Sequence, residues 1–220
     1  MYYLACIFLV STGLRYVAKE VAMMISIDKR LTDEEMNILR QLIGKKIVSF
    51  RHEEFRPTHA SYGAVGIETE QGMIYLYCQT EPINYFGSVG DEAVLTLTRE
   101  RHAWLDESPY AYVLAAASPV NETVKEIHVV QDHQRLYENG EQTFDVWLTW
   151  GIIFEFGDYQ YSLEKSQGFS GLIFIEKGND LINTFSSTDE FENPEFWTDD
   201  CIAKCDREIV VISESDIYKA

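Results

Sequence analysis

The chain has 220 residues with 36 acidic and 18 basic side chains, which gives a formal net charge of −18 at pH 7. This charge disfavours nucleic acid as a partner, because a phosphate backbone needs a cationic binding surface. A content of 46% hydrophobic and 13% aromatic residues supplies a packed core and excludes the disordered and fibrous classes. The four cysteines are sparse and irregularly spaced, which favours a reducing cytoplasm over a disulfide-bonded secreted domain.

Residues 1–24 form an apolar leader. Its apolar run extends at most from Tyr2 to Leu14, about half of the ~20 residues that a membrane-spanning helix needs. Basic residues follow this run instead of preceding it, which is not typical of a secretory signal. The tandem methionines Met23 and Met24 suggest that translation starts there. We therefore expect no membrane span, and a leader that is either disordered or untranslated.

Residues 31–44 carry a complete set of helix signals. Thr32 is a good N-cap, and Glu35 can close a capping box with it. Gly44 suits the left-handed conformation just past a helix end, so the pattern predicts a helix over residues 33–43. Apolar residues share one face of this helix: Met36, Leu39, Leu42 and Ile43.

After the helix, the apolar period changes to 2, which predicts β-strands. Over residues 144–156 apolar side chains occupy every even position, and Gly157-Asp158 follows as a two-residue hairpin turn. This alternation is longer than a usual strand, so Gly151 is expected to mark a bulge or bend. The run over residues 209–212 is apolar on both faces, which is typical of a central strand.

These elements predict an α+β fold. The N-terminal helix would pack on a predominantly antiparallel, strongly bent β-sheet or on two packed β-meander units. Residues 25–220 would form a single domain. A faint internal echo suggests pseudo-duplicated halves at 45–100 and 125–185. An antiparallel meander gives similar spacing by chance, so both interpretations stay open.

The acidic residues are concentrated in one part of the chain. Between Leu136 and Ala203 there are fourteen acids and only two lysines, and the acids are densest over residues 189–200. Carboxylates there could pair with Arg or Lys of a partner, while the interleaved aromatic side chains supply contact area. The predicted partner-binding residues are Asp189, Glu190, Glu192, Glu195, Phe196, Trp197, Asp199 and Asp200. The alternative is a solvated acidic loop in which Phe196 and Trp197 are buried anchors.

No catalytic, cofactor or metal motif stands out. His52 and His59 are seven residues apart, whereas a zinc-binding helix needs two histidines four apart, so we expect them in a solvated loop. Cys201 and Cys205 lack two further soft ligands and are interpreted as packing residues. Neighbouring acids should raise the thiol pKa values, which disfavours a nucleophilic thiolate.

We expect a non-enzymatic, cytoplasmic protein that needs no cofactor and binds a basic protein through its acidic surface. Small acidic bacterial proteins that neutralise basic toxins, particularly nucleases, share this composition and size. By that analogy of charge and size, an immunity-type inhibitor is the most concrete form of the hypothesis.

Two other classes stay open. One is a structural or accessory domain that forms a homo-oligomer through exposed aromatic strands. The other is a small-molecule-binding or acid–base hydrolytic β-rich domain. Carboxylates that could serve such chemistry lie on predicted strands: Glu68, Glu155 and Glu164. Alternation along strands places such residues on a common face whether or not chemistry occurs there, so their presence is not specific.

Overall fold

The computed structural model describes residues 24–54, 59–86, 88–107, 112–166 and 170–217, and residues 1–23 of the predicted leader lie outside this range. Most described residues belong to antiparallel strands in two sheets, so the expected α+β class is confirmed only in part. The helices are short: α1 (Asp33–Arg40), α2 (Asp189–Glu192) and α3 (Glu214–Ile217). Short 3-10 turns lie at Ala103–Asp106, Leu181–Thr184 and Pro194–Phe196.

Helix α1 begins as its sequence predicts. The Thr32 hydroxyl accepts a hydrogen bond from the Glu35 amide at 3.3 Å, and the Glu35 carboxylate accepts one from the Thr32 amide at 2.7 Å. These two bonds satisfy amide groups that a helix start leaves without partners. The helix ends at Arg40, three residues before the predicted end, and a turn leads to Gly44 with φ of 73°. The predicted apolar face is buried: Met36, Leu39, Leu42 and Ile43.

Five strands form the first sheet, in the spatial order β6-β5-β4-β2-β7. Their bounds are β2 Lys46–His52, β4 Ala64–Thr69, β5 Gly72–Tyr85, β6 Ser88–Thr98 and β7 Ala116–Thr123. The β5–β6 hairpin is long, and Phe86 lies at its tip. This hairpin therefore extends far enough to contact the other sheet.

Seven strands form the second sheet, in the order β12-β8-β9-β10-β11-β3, with β1 paired parallel to β9. Their bounds are β1 Ile25–Lys29, β3 Ala60–Tyr62, β8 Glu126–Glu138, β9 Glu141–Glu155, β10 Gln160–Lys165, β11 Leu172–Gly178 and β12 Cys201–Ile212. The predicted turn at Gly157-Asp158 joins β9 to β10. The main core lies between the two sheets, where the Phe50 ring contacts Phe154 and Tyr161 at centroid distances of 5.5 and 5.0 Å.

The two sheets share one strand order. In the first sheet the fifth strand in sequence, β7, lies beside β2, and the order β7-β2-β4-β5-β6 is antiparallel throughout. The second sheet repeats this arrangement as β12-β8-β9-β10-β11. Duplication stays a prediction; the shared order supports it with longer units, residues 46–123 and 126–212.

Gly151 marks a bulge in β9, as predicted. Val130 of β8 pairs with Gly151 and Gln131 pairs with Thr149, so Trp150 has no opposite residue. The extra residue switches the face to which the even positions point. A Cβ atom on Gly151 would lie 2.6 Å from the Leu163 carbonyl oxygen, which leaves no space for a larger residue.

The face switch gives the seven-stranded sheet two apolar surfaces. Beyond the bulge, Ile152, Phe154 and Phe156 join the core between the sheets. Before it, the even-numbered residues form a second cluster on the opposite face of the sheet: Phe144, Val146, Leu148 and Trp150. Residues 181–197 and the tip of the β5–β6 hairpin cover this second cluster. The predicted partner-binding residues lie in and directly after this covering segment.

Candidate protein-binding site

The acidic segment, defined as residues 189–200, connects the second apolar cluster to the start of β12. It consists of α2, the 3-10 turn Pro194–Phe196, and a bend and turn over residues 197–200. The Asn193 side-chain oxygen accepts a hydrogen bond from the Glu195 amide at 3.0 Å, and Pro194 opens the turn. Asn at the cap and Pro at the first position are the residues that such a start favours.

Aromatic contacts hold the acidic segment on the sheet. The Trp197 indole nitrogen donates a hydrogen bond to the Phe191 carbonyl oxygen at 2.7 Å. The Phe86 ring, at the tip of the β5–β6 hairpin, contacts Phe191 and Trp197 at centroid distances of 5.1 and 5.3 Å and Phe144 at 5.2 Å. Trp197 thus acts as an anchor, but it is half-buried and not buried as the loop alternative expected.

Phe196 has the opposite orientation. Its side chain is 71% exposed, so the loop alternative was wrong in placing it among the buried anchors. It lies between Glu195 and Trp197 in the sequence. The acidic segment therefore combines inward aromatic anchors with an exposed aromatic ring among carboxylates.

Most of the predicted acids are exposed and unpaired. The side chains of Asp189, Glu190, Glu195 and Asp199 make no hydrogen bond or ion pair with any residue that the structure describes. Asp200 accepts a hydrogen bond from the Thr198 hydroxyl at 2.6 Å, and this bond lowers the pKa of Asp200. The surface of the acidic segment thus carries uncompensated negative charge.

Glu192 has a structural role that its sequence does not indicate. Its carboxylate accepts a hydrogen bond from the Cys205 amide, in β12, at 2.7 Å. Antiparallel strands direct their amides alternately to either side, and this amide points away from the neighbouring strand β8. Glu192 thus binds the free edge of β12 and fixes α2 beside it.

Strand β12 lies at the edge of the seven-stranded sheet, so the prediction of a central strand over residues 209–212 was wrong. Ile209, Val210 and Val211 are 44, 36 and 46% exposed, while Ile212 is buried. An apolar run that is exposed on both faces has the same sequence pattern as one that is buried on both. Only the position of the strand in the sheet distinguishes the two cases.

His52 and His59 differ in their exposure to solvent. His52 is buried at the end of β2, where its ring nitrogens contact the Ser118 hydroxyl at 2.8 Å and the Glu53 carbonyl oxygen at 2.7 Å. Burial lowers its pKa. The expectation of a solvated loop was therefore wrong for His52, whereas the His59 side chain is exposed.

Cys205 is a buried packing residue, and the carboxylates on the strands form hydrogen bonds within the chain. Cys205 is buried, and burial raises its thiol pKa to about 12, with Asp132 as the first neighbouring acid to add to the shift. Glu68 accepts hydrogen bonds from Arg51 at 2.9 Å and from Ser49 at 2.6 Å, and both lower its pKa. Two further carboxylates also have hydrogen bonds within the chain: Glu155 with Gln160, and Glu164 with Trp150 and the Ser186 amide.

A cleft of about 450 Å³ lies between β3, β5 and the turn at Ala103–Asp106. Tyr62 and Trp104 contribute aromatic walls, and Glu81 is its acidic side chain. Glu81 pairs with Lys29 at 2.5 Å, and burial raises the thiol pKa of Cys78 in the wall to about 11. Among the described residues that line it, the cleft therefore offers shape but no group activated for acid–base or nucleophilic chemistry.

Comparison of the chain with known protein families, curated proteins and solved structures gives no significant match in any of the three. Among the described residues, no group of three or more His, Cys, Asp and Glu side chains could hold a metal ion. No helix in the same residues is long and apolar enough to cross a membrane.

Proposed function

We propose that the protein is a non-enzymatic binding domain that holds a basic protein against its acidic segment. The observation that carries this proposal is the set of unpaired carboxylates on an anchored surface: Asp189, Glu190, Glu195 and Asp199. Uncompensated acids attract a cationic surface over long distances and accelerate association with it. In its most concrete form, the protein is an immunity-type inhibitor of a basic toxin such as a nuclease.

The anchoring of the segment also supports binding. Loops that are mobile before binding lose conformational entropy when a partner orders them, which weakens the complex. Here Phe86, Phe191 and Trp197 already fix the backbone. The exposed Phe196 ring can then enter a pocket of the partner, as aromatic residues commonly do at the centre of an interface.

The first experiment is capture of the partner on immobilised protein from a lysate of its own host, at low and then high salt. We expect a basic protein that is retained at low salt and released at high salt, because salt screens the attraction. An inhibitor must in addition suppress the activity of the captured protein, for example its cleavage of nucleic acid. Full activity of that protein at saturating inhibitor would contradict the inhibitor form of the proposal.

Two variants of equal charge make the capture specific. The segment variant converts Asp189, Glu190, Glu195 and Asp199 to their amides. The control variant does the same to four exposed acids at or beside the five-stranded sheet: Glu70, Asp91, Glu100 and Glu122. Each variant has a formal net charge of −14 instead of −18. Capture should fail with the segment variant and persist with the control; equal loss with both would show that only total charge matters.

Small-molecule binding is a second candidate, and the cleft between β3 and β5 is the observation that favours it. Pockets of this size with aromatic walls suit drug-sized ligands. A ligand screen by thermal shift tests it, with Trp104→Ala as the variant that removes an aromatic wall. Stabilisation of wild type but not of this variant would support a ligand site.

A further inference from the structure

The sheet edges of this protein differ in how they are protected. An open edge exposes backbone amide and carbonyl groups to which another chain can pair, and proteins usually block it with charge, proline, bulges or short strands. Strand β6 has two of its edge groups occupied: the Glu35 carboxylate accepts a hydrogen bond from the Leu97 amide at 2.8 Å, and Lys165 donates one to the Ala93 carbonyl oxygen at 3.0 Å.

The other edges show further blocking features. Strand β7 contains Pro119 and pairs with β2 through a register shift, with Asn121 at a φ of 58°. Strand β3 has three residues, and β1 has five. Proline, a bulge and shortness each interrupt the regular row of groups that a second strand needs.

Strand β12 is protected over only part of its length. Glu192 occupies the Cys205 amide, so this end of the edge is closed. Because amides alternate in direction along a strand, those of Arg207, Ile209 and Val211 point the same way as that of Cys205. No residue that the structure describes accepts a hydrogen bond from these three amides. The row is regular, because the β8–β12 register has no shift.

The side chains along this open edge are suited to strand pairing. Ile209, Val210 and Val211 are β-branched and exposed, and such residues favour strands and pack against cross-strand neighbours. The residues from 207 to 212 contain no proline, glycine or lysine that would block pairing. The side chains of this stretch thus suit the addition of an apolar strand to the sheet.

The charge around the edge selects the kind of strand. Glu208 is exposed on it, and α2 with Asp189 and Glu190 packs beside it. Two arginines near this edge already have carboxylate partners. Arg207 forms a two-pronged ion pair with Asp132 at 2.7 and 2.8 Å, and Arg30, which interacts electrostatically with Glu208, is hydrogen-bonded to Asp28. A second copy of this chain would bring the same acids to the same place and be repelled, whereas a strand with Lys or Arg side chains would be attracted.

We propose that the open edge of β12 over Arg207–Ile212 binds an extended strand of the partner in which apolar residues alternate with Lys or Arg. Binding adds this strand to the seven-stranded sheet, a mode in which backbone hydrogen bonds give affinity and side chains give specificity. The inference rests on the proposed function in taking the partner to be basic. It adds that the acidic segment attracts the partner and the edge aligns it.

The test uses blocked ten-residue peptides and the full-length protein. The first peptide alternates Val and Lys, the second alternates Val and Glu, and the third is the Val–Lys peptide with every amide N-methylated, so that neither of its edges can donate a hydrogen bond. We expect the first peptide to bind and to protect the amides of Arg207, Ile209 and Val211 from hydrogen exchange. The second and third should bind at least roughly tenfold more weakly, because they lose charge attraction or backbone hydrogen bonds.

A protein variant tests the same bonds from the other side. Val211→Pro removes an outward amide while leaving the inward bonds to β8, and Val211→Thr keeps the amide as a matched control. We expect a roughly tenfold loss of Val–Lys binding for Val211→Pro and little change for Val211→Thr. If Val211→Pro does not fold, the N-methylated peptide still decides the question.

Three outcomes would overturn the inference. The first is equal binding of the methylated and unmethylated Val–Lys peptides, and the second is absence of binding by any peptide. The third is self-association of the protein that Val211→Pro abolishes, which would assign the edge to a second copy. None of these refutes the proposed function, which fails separately if the partner binds the segment and control variants equally well.

Discussion

Two regions of this molecule differ in whether their carboxylates form ion pairs. In the interior, Asp132 pairs with Arg207, and Glu92 pairs with Lys165 at 2.9 Å. In the acidic segment, Asp189, Glu190, Glu195 and Asp199 have no partner among the described residues. A buried charge must be paired for the fold to form, whereas an exposed acid without a partner has no such role. The difference separates acids that hold the fold from acids available to a partner.

The largest expected change in stability concerns the buried ion pair of Lys165 and Glu92. Lys165 is fully buried, donates to both Glu92 and the Ala93 carbonyl oxygen, and lies 4.4 Å from the centroid of the Trp150 ring. Lys165→Met leaves the Glu92 carboxylate buried without a counter-ion and should lower the free energy of unfolding by about 3 to 5 kcal/mol. Denaturant unfolding measures this loss.

A double variant sharpens that result. Adding Glu92→Leu to Lys165→Met removes the unpaired charge and should restore much of the lost stability, because apolar replacements of a buried pair are often tolerated. If the double variant is less stable than the single one, the two side chains do not act as a pair.

Next in size is the anchor of the acidic segment. Trp197→Ala removes ring contacts with Phe86 and Phe191 and one hydrogen bond, and should lower the free energy of unfolding by about 2 kcal/mol, less than for a fully buried tryptophan. Phe196→Ala is the matched variant on the exposed side and should leave stability within about 0.5 kcal/mol. Thermal unfolding of both variants measures the two losses of stability. Similar losses would contradict the assignment of Trp197 as an anchor and of Phe196 as a contact residue.

A smaller effect depends on pH. Burial lowers the pKa of His52 below its ordinary value of 6.5, so the unfolded chain binds the proton more readily. The contribution of His52 to stability is therefore present above pH 6.5 and is lost as pH falls below that value towards the lower folded pKa. His52→Gln should flatten the stability profile in this window, and His59→Gln should not. Parallel profiles for wild type and His52→Gln would refute the assignment.

The smallest expected change in stability concerns the exposed carboxylates of the acidic segment. Converting Asp189, Glu190, Glu195 and Asp199 to amides should change the free energy of unfolding by less than about 0.5 kcal/mol, because exposed acids without partners contribute little to folding. Denaturant unfolding of the segment variant checks this. A loss of several kcal/mol would mean that these acids stabilise the fold after all.

Features encoded within a few residues could be predicted from the sequence. The capping box of Thr32 and Glu35 and the turn at Gly157-Asp158 were predicted because their hydrogen bonds form between close neighbours in sequence. The bulge at Gly151 was predicted because its signal is an overlong alternation. The bulge places two apolar clusters on opposite faces of one sheet. This result could not be predicted without knowing the register between β8 and β9.

Features that depend on distant residues could not be predicted. Residues 209–212 look like a central strand, but their place in the sheet depends on pairing with β8 some eighty residues earlier. The anchoring of Trp197 depends on Phe86, at the tip of a hairpin in the other sheet. The acids of the segment are polar and lie in a polar stretch, so their position on the surface could be predicted from the sequence. The role of Glu192 could not, because its hydrogen bond joins it to β12.

The most direct test of the central claim is the association rate of the captured basic protein with wild type, the segment variant and the control variant of equal charge. We expect a rate for the segment variant that is lower by about tenfold at low salt, with a flatter salt dependence, and a rate for the control close to that of wild type. Equal rates for the two variants would contradict it, because the attraction would then belong to total charge and not to the acidic segment.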